Sequence, residues 1–133
     1  MKNFQLTQDM LNIRGQFYPT GHVVAMFPSA DAAQAAAQAL MDAGWEYDEI
    51  AVITPEVMLR DLARTVTDSD SILPSPGTES DTVRRYAEFA RNGHHGLLIH
   101  CHRKGDDQVM QALRDHQVSH AQKYRALVIE DLA

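Results

Sequence analysis

Short runs of uninterrupted apolar residues alternate with longer segments of helical period along this chain. Residues 22–27 (His-Val-Val-Ala-Met-Phe), bounded by Gly21 and Pro28, read as a buried strand. Ser29 then offers an N-cap, and Ala33, Ala36, Ala37 and Leu40 repeat at i, i+3, i+4, i+7 on one helical face, closed by Gly44. Ile50-Ala51-Val52-Ile53 centres a second strand over 49–54. Thr54-Pro55-Glu56 starts a helix to about Arg64, with Met58, Leu59 and Leu62 inward.

Thr78 to Asp81 resembles a capping box, and the helix after it places Val83, Tyr86, Ala87 and Ala90 on one face, ending at Asn92-Gly93. Residues 96–102 (Gly-Leu-Leu-Ile-His-Cys-His) predict a third strand. Asp106 or Asp107 caps a further helix with Val109, Met110 and Leu113 inward. Residues 124–130, centred on Ala126-Leu127-Val128-Ile129, predict the last strand.

With the middle set aside, two β-α-β units remain, each with a right-handed crossover. The expected class is α+β: a ferredoxin-like β-α-β/β-α-β sandwich with a helical insertion and loop between its halves. Its four-stranded antiparallel sheet would carry the crossover helices on one face and leave the other open. Residues 1–21 read as a polar N-terminal arm, with Thr7 to Ile13 forming a helical turn or two and Tyr18-Pro19-Thr20-Gly21 a turn. Residues 22–133 then make a single ferredoxin-like domain, with 67–78, rich in Ser, Asp and Pro, as a surface loop.

These segments carry a resemblance. Gly21 to Phe27, the Ala-rich helix, Leu40-Met41-Asp42-Ala43-Gly44-Trp45 and Ile50 to Thr54, followed by Tyr86, Gly93, Leu97-Leu98-Ile99 and a closing helix before Ala121, resemble the bacterial heat-induced general stress protein domain. The likeness spans roughly residues 21–130. It implies a stress-associated or regulatory role and brings no catalytic residues with it. Members often carry a Gly-rich apolar stretch between the halves. Here Asp68-Ser69-Asp70-Ser71 and Pro74-Ser75-Pro76 stand instead, which removes a membrane-associated reading.

Charge narrows the partners. The 133 residues carry a net charge of −6 with the seven histidines neutral, and Arg84-Arg85 and Arg103-Lys104 are the only adjacent basic pairs. Such a chain repels phosphate backbones, so nucleic acid is not an expected partner. Protonating all seven histidines brings the formal charge from −6 to +1. Charge-driven behaviour should therefore change between about pH 7 and 5. Cys101 is the only cysteine, which excludes an intrachain disulfide and suits a reducing, cytoplasmic setting. No signal-peptide core or membrane-length apolar run is present.

The densest chemistry is His100-Cys101-His102 on the third strand. Alternation puts Leu97, Ile99 and Cys101 on one face and Leu98, His100 and His102 on the other. With the first set under the helices, both histidines stand on the open face. Two such imidazoles can hold a divalent metal such as zinc, with His22 as third ligand from the neighbouring strand and His94 and His95 nearby. One of them can equally act as a general base, or the polar face can simply meet water or another subunit. Neither a Cys-x-x-Cys nor a His-Glu-x-x-His spacing singles out the metal.

The expected function is a non-enzymatic stress-associated or regulatory interaction module that forms a homodimer through the open sheet face, with its small-molecule ligand unknown. The alternative is a small metal- or ligand-binding enzyme using His100 and His102.

Overall fold

A computed structural model describes residues 1–11, 15–65, 78–101, 106–125 and 129–132. The chain forms β1 (Lys2–Asn3), β2 (His22–Phe27), α1 (Ala30–Asp42), β3 (Ile50–Ile53) and α2 (Pro55–Val57), which runs into a π-helical turn, Met58–Leu62. Then come α3 (Thr78–Arg91), β4 (His95–His100), α4 (Asp106–Asp115), β5 (His120–Tyr124) and β6 (Ile129–Asp131).

The local signals act as the sequence suggests. Ser29 Oγ accepts from Ala32 N–H at 3.1 Å and starts α1, and Thr54 Oγ1 accepts from Val57 N–H at 3.3 Å and starts α2 with Pro55 behind it. Gly93 ends α3 with φ +82°, a conformation that favours glycine.

The strands make one α+β sheet in the order β1-β3-β4-β2-β5-β6. Every neighbouring pair is antiparallel except β1 with β3. Helices α1 and α4 cover one face, burying Val23, Ala25, Phe27, Ile50, Leu97, Ile99 and Ala121 against Ala33, Ala36, Ala37, Leu40, Val109 and Leu113. The four predicted α1 positions are all fully buried. The methyl side chains of the three alanines let the helix lie close on the sheet.

The second face is not open. Met58 and Leu62 from the π turn, Val83, Tyr86 and Ala90 from α3, and Phe4 and Phe17 from the N-terminal segment pack over Val24, Met26, Ala51, Ile53, Leu98 and Tyr124. The face proposed for a homodimer is therefore occupied by this chain's own helices. The physical reason is apolar area: strands with apolar side chains on both faces need cover on both.

The N-terminal segment joins this second layer through its described residues, Phe4 and Phe17 among them. Phe4 N–H donates to Val52 O at 3.0 Å, extending the β1–β3 pairing. Phe17 N–H donates to Thr65 Oγ1 at 3.1 Å, and that hydroxyl donates to Leu62 O at 2.8 Å. Of the helical segment expected over Thr7 to Ile13, a 3-10 turn occupies Gln8–Met10, and positions 12–13 lie outside the described residues.

Two further expectations shift. Leu59 is exposed, because the π turn holds Met58 and Leu62 inward as an i, i+4 pair and rotates Leu59 away. The strand beside β2 is His120–Tyr124, earlier than the predicted 124–130, while Ile129–Asp131 forms a short edge strand beyond it. The centre of the predicted strand, 126–128, and most of the 67–78 loop lie outside the described residues. Among the described residues no helix is long and apolar enough to cross a membrane.

Candidate functional site

Two polar clusters lie on the second face of the sheet, one where the start of β2 meets the end of β4 and the other along β5 and β6. The first is the predicted histidine site. Leu97, Ile99 and Cys101 do pack under the α1–α4 layer, so alternation sends His100 to the other face, where it is exposed.

Antiparallel register sets His22 directly opposite His100, and their rings meet edge-to-face with centroids 5.2 Å apart. His22 Nδ1 lies 3.1 Å from Thr20 O. A carbonyl only accepts, so Nδ1 carries the proton and Nε2 of the neutral ring keeps a free lone pair. Trp45 Nε1–H donates to His100 O at 2.8 Å, and Cys101 N–H to Gly21 O at 3.0 Å, fixing both strand ends. Beside the pair lies a cleft of about 180 Å³, lined in part by Lys2, Thr7, Met10, His22, Asp48 and Glu49. Burial pushes the His22 imidazole below its ordinary pKa. His100 acts in the same direction, while the Thr20 and Pro19 carbonyls and Asp9 pull upward.

The other predicted histidines do not join this pair. His95 faces Phe27 across the β2–β4 register, at the far end of both strands. Five residue steps along the strand separate it from His100, roughly 17 Å. Its Nδ1 lies 3.3 Å from Gly93 O. His94 rests on Phe89, ring centroids 5.0 Å apart, with its Nδ1 buried and unpartnered. His102 lies outside the described residues. Among the described residues no three His, Cys, Asp or Glu side chains converge to hold a metal ion.

The second cluster was not singled out by the sequence. On β5, His120, Gln122 and Tyr124 point into the layer beneath α3, and His120 and Gln122 are each only 6% exposed. The hydroxyl oxygens of Tyr86 and Tyr124 are 2.9 Å apart. Tyr86 also donates to Gln122 Oε1 at 3.1 Å, and Gln122 Nε2 donates to Asp131 Oδ1 at 2.6 Å. A hydrogen-bonded chain thus runs from the core to β6 at the sheet edge. Burial raises the Tyr86 hydroxyl well above its ordinary pKa, with Tyr124 adding to the effect, so it stays a neutral donor.

His120 stacks on Phe89 (5.5 Å, 24°) and lies 6.1 Å from the Tyr86 ring, and its Nε2 is buried without a partner. Burial pushes the His120 imidazole below its ordinary pKa, helped by Arg85 and opposed by Gln122 and Asp131.

The chain of hydrogen bonds opens into a pocket of about 240 Å³ between α3 and the β5–β6 edge, lined by Asp81, Thr82, Arg85, Gln122, Ile129 and Asp131. No family model, curated protein or solved structure matches this chain. The two clusters therefore stand on their own geometry. The only sequence signal for the second was the alternation of His120, Gln122 and Tyr124 within a polar five-residue segment.

Proposed function

We propose that this domain is a non-enzymatic regulatory interaction module that binds a small polar ligand between α3 and the β5–β6 edge. The supporting observation is the hydrogen-bonded chain that runs from buried Tyr124, Tyr86 and Gln122 to exposed Asp131 and ends in a pocket walled by charged and polar side chains. Concave sites with a few fixed polar groups are where small ligands bind. A ligand there would tie Thr82 and Arg85 of α3 to Asp131 of β6, changing how firmly the terminal strand is held and what the sheet edge offers a partner.

The interleaved order β3-β4-β2-β5 supports reading the core as the ferredoxin-like plan, with a strand added at each edge and the insertion folded over the second face. The stress-associated role implied by the resemblance and a cytoplasmic setting belong to the same proposal. Any homodimer in this reading uses an edge strand or a helix surface, since the second sheet face is filled.

The test is a titration of small polar metabolites into isotope-labelled protein. Shifts gathered at Thr82, Arg85, Gln122 and Asp131 support the reading. Absence of any shift at those four residues across the collection removes it.

A second reading rests on His22 facing His100: a two-imidazole metal site, the starting point for a metal-dependent activity on the histidine strand. Metal binding to His22→Gln and His100→Gln variants tests its metal step.

A further inference from the structure

The pocket between α3 and the β5–β6 edge holds opposite charges that do not neutralise each other. Arg85, Asp81 and Asp131 all line it. Asp81 is paired with the neighbouring Arg84, at 3.2 Å, and Asp131 accepts from Gln122. Arg85 makes no ion pair with either carboxylate, although all three share one small space. Thr82 and Gln122, both nearly fully buried, add polar groups, and half-buried Ile129 adds an apolar wall.

We infer that this pocket takes a small zwitterion of the free α-amino acid class. Its carboxylate would meet the Arg85 guanidinium, which suits two-point recognition of a carboxylate. Its ammonium would meet the carboxylate side of the pocket at Asp131 and Asp81, and its side chain would lie against Ile129. Selectivity follows from repulsion as much as attraction. A simple anion would face two aspartates, and a simple amine would face Arg85. The charged groups are largely solvent-exposed, so each contact is weak and both are needed together. This inference rests on the ligand-binding reading above and narrows it to one chemical class.

The experiment titrates the full chain with a panel of free L-amino acids, followed by amide chemical shifts. The N-acetylated and the decarboxylated forms of each binding amino acid serve as controls. The expected result is that at least one amino acid shifts Thr82, Arg85 and Gln122, and that removing either charge weakens binding at least about tenfold. Arg85→Gln and Asp131→Asn should each weaken it similarly. Asn at 131 keeps an oxygen for Gln122 Nε2, and thermal melts confirm that both variants fold. Single-charge analogues that bind as tightly as the amino acid would overturn the zwitterion inference. So would an inert amino acid panel. If other small polar molecules still shift the same residues, the ligand-binding reading survives without it; if none does, both fall.

Discussion

Tyr86 on α3 and Tyr124 on β5 share a hydrogen bond, their hydroxyl oxygens 2.9 Å apart and both rings fully buried. Two phenols inside a largely apolar layer are tolerated because the bond continues through Gln122 to Asp131. Replacing Tyr86 with Phe would leave the buried Gln122 Oε1 without its hydroxyl donor. The expected loss of stability is about 1–3 kcal/mol, read as a lower denaturant midpoint. The double variant Tyr86→Phe/Tyr124→Phe should cost less than the sum of the two single changes, because the second removes a partner already orphaned. Additive losses would show that the two hydroxyls do not act together.

His120 supplies a pH prediction. Burial holds its imidazole below the ordinary value, so near and below about pH 6.5 the unfolded chain binds this proton more readily than the folded one. His120 therefore costs no stability above the unfolded pKa and loses stability as the pH falls from there through its folded pKa. His22, shifted in the same direction, adds to the loss. Denaturation midpoints at pH 7.5, 6.5 and 5.5 should decline in that order. In His120→Phe the decline should be shallower, since an aromatic ring keeps the stack on Phe89 and carries no proton. An unchanged slope would remove His120 from this account.

Much of the fold was legible because it depends on spacing. The i, i+3, i+4, i+7 alanines located α1 and its buried face, and Thr54-Pro55 located the start of α2. The expectation of an open face failed although its correction was in the chain. Val23 to Phe27, Ile50 to Ile53 and Leu97 to Ile99 are uninterrupted apolar runs, which signal burial on both sides, whereas an open face would alternate apolar with polar. β5 was missed for the opposite reason. Its three inward side chains, His120, Gln122 and Tyr124, are polar or amphipathic, and the polar chain that allows their burial runs through Tyr86 on α3, 36 residues from Gln122. Hydropathy along one segment carries no trace of that partner. For the histidines, alternation and strand adjacency foretold His22 beside His100, but nearness in sequence misplaced His94 and His95, which lie before β4 or at its opposite end.

Gly96 is where three strands pack closely. A Cβ added there would stand 3.2 Å from Met26 Sδ and 3.3 Å from Ile53 Cβ. The methionine sulfur can move, while Ile53 Cβ is held by the backbone of β3. Gly96→Ala should be tolerated with a small loss, because one side of the contact can give way. Gly96→Val adds two more methyl carbons and should cost about 1–3 kcal/mol through overpacking, measured as a fall in thermal midpoint. Equal midpoints for the two variants would mean that the layer above β4 has more room than these distances allow.

The His22–His100 pair makes a direct statement about metals. Its two imidazoles come from hydrogen-bonded neighbouring strands, and the Thr20 carbonyl fixes the His22 tautomer so that Nε2 offers its lone pair outward from that contact. A first-row divalent ion should bind there with water filling its remaining positions, since no third donor converges among the described residues. Calorimetry with Ni²⁺ on protein carrying no affinity tag should show one ion per chain. His22→Gln and His100→Gln should each weaken binding at least about tenfold, or roughly 1.4 kcal/mol. His100 is exposed and His22 is half-buried at the edge of the second core layer, so the thermal midpoint without metal should shift little in His100→Gln and only modestly in His22→Gln. Binding that survives both substitutions would place the ion on other histidines, and no binding at all would end the metal reading of this strand.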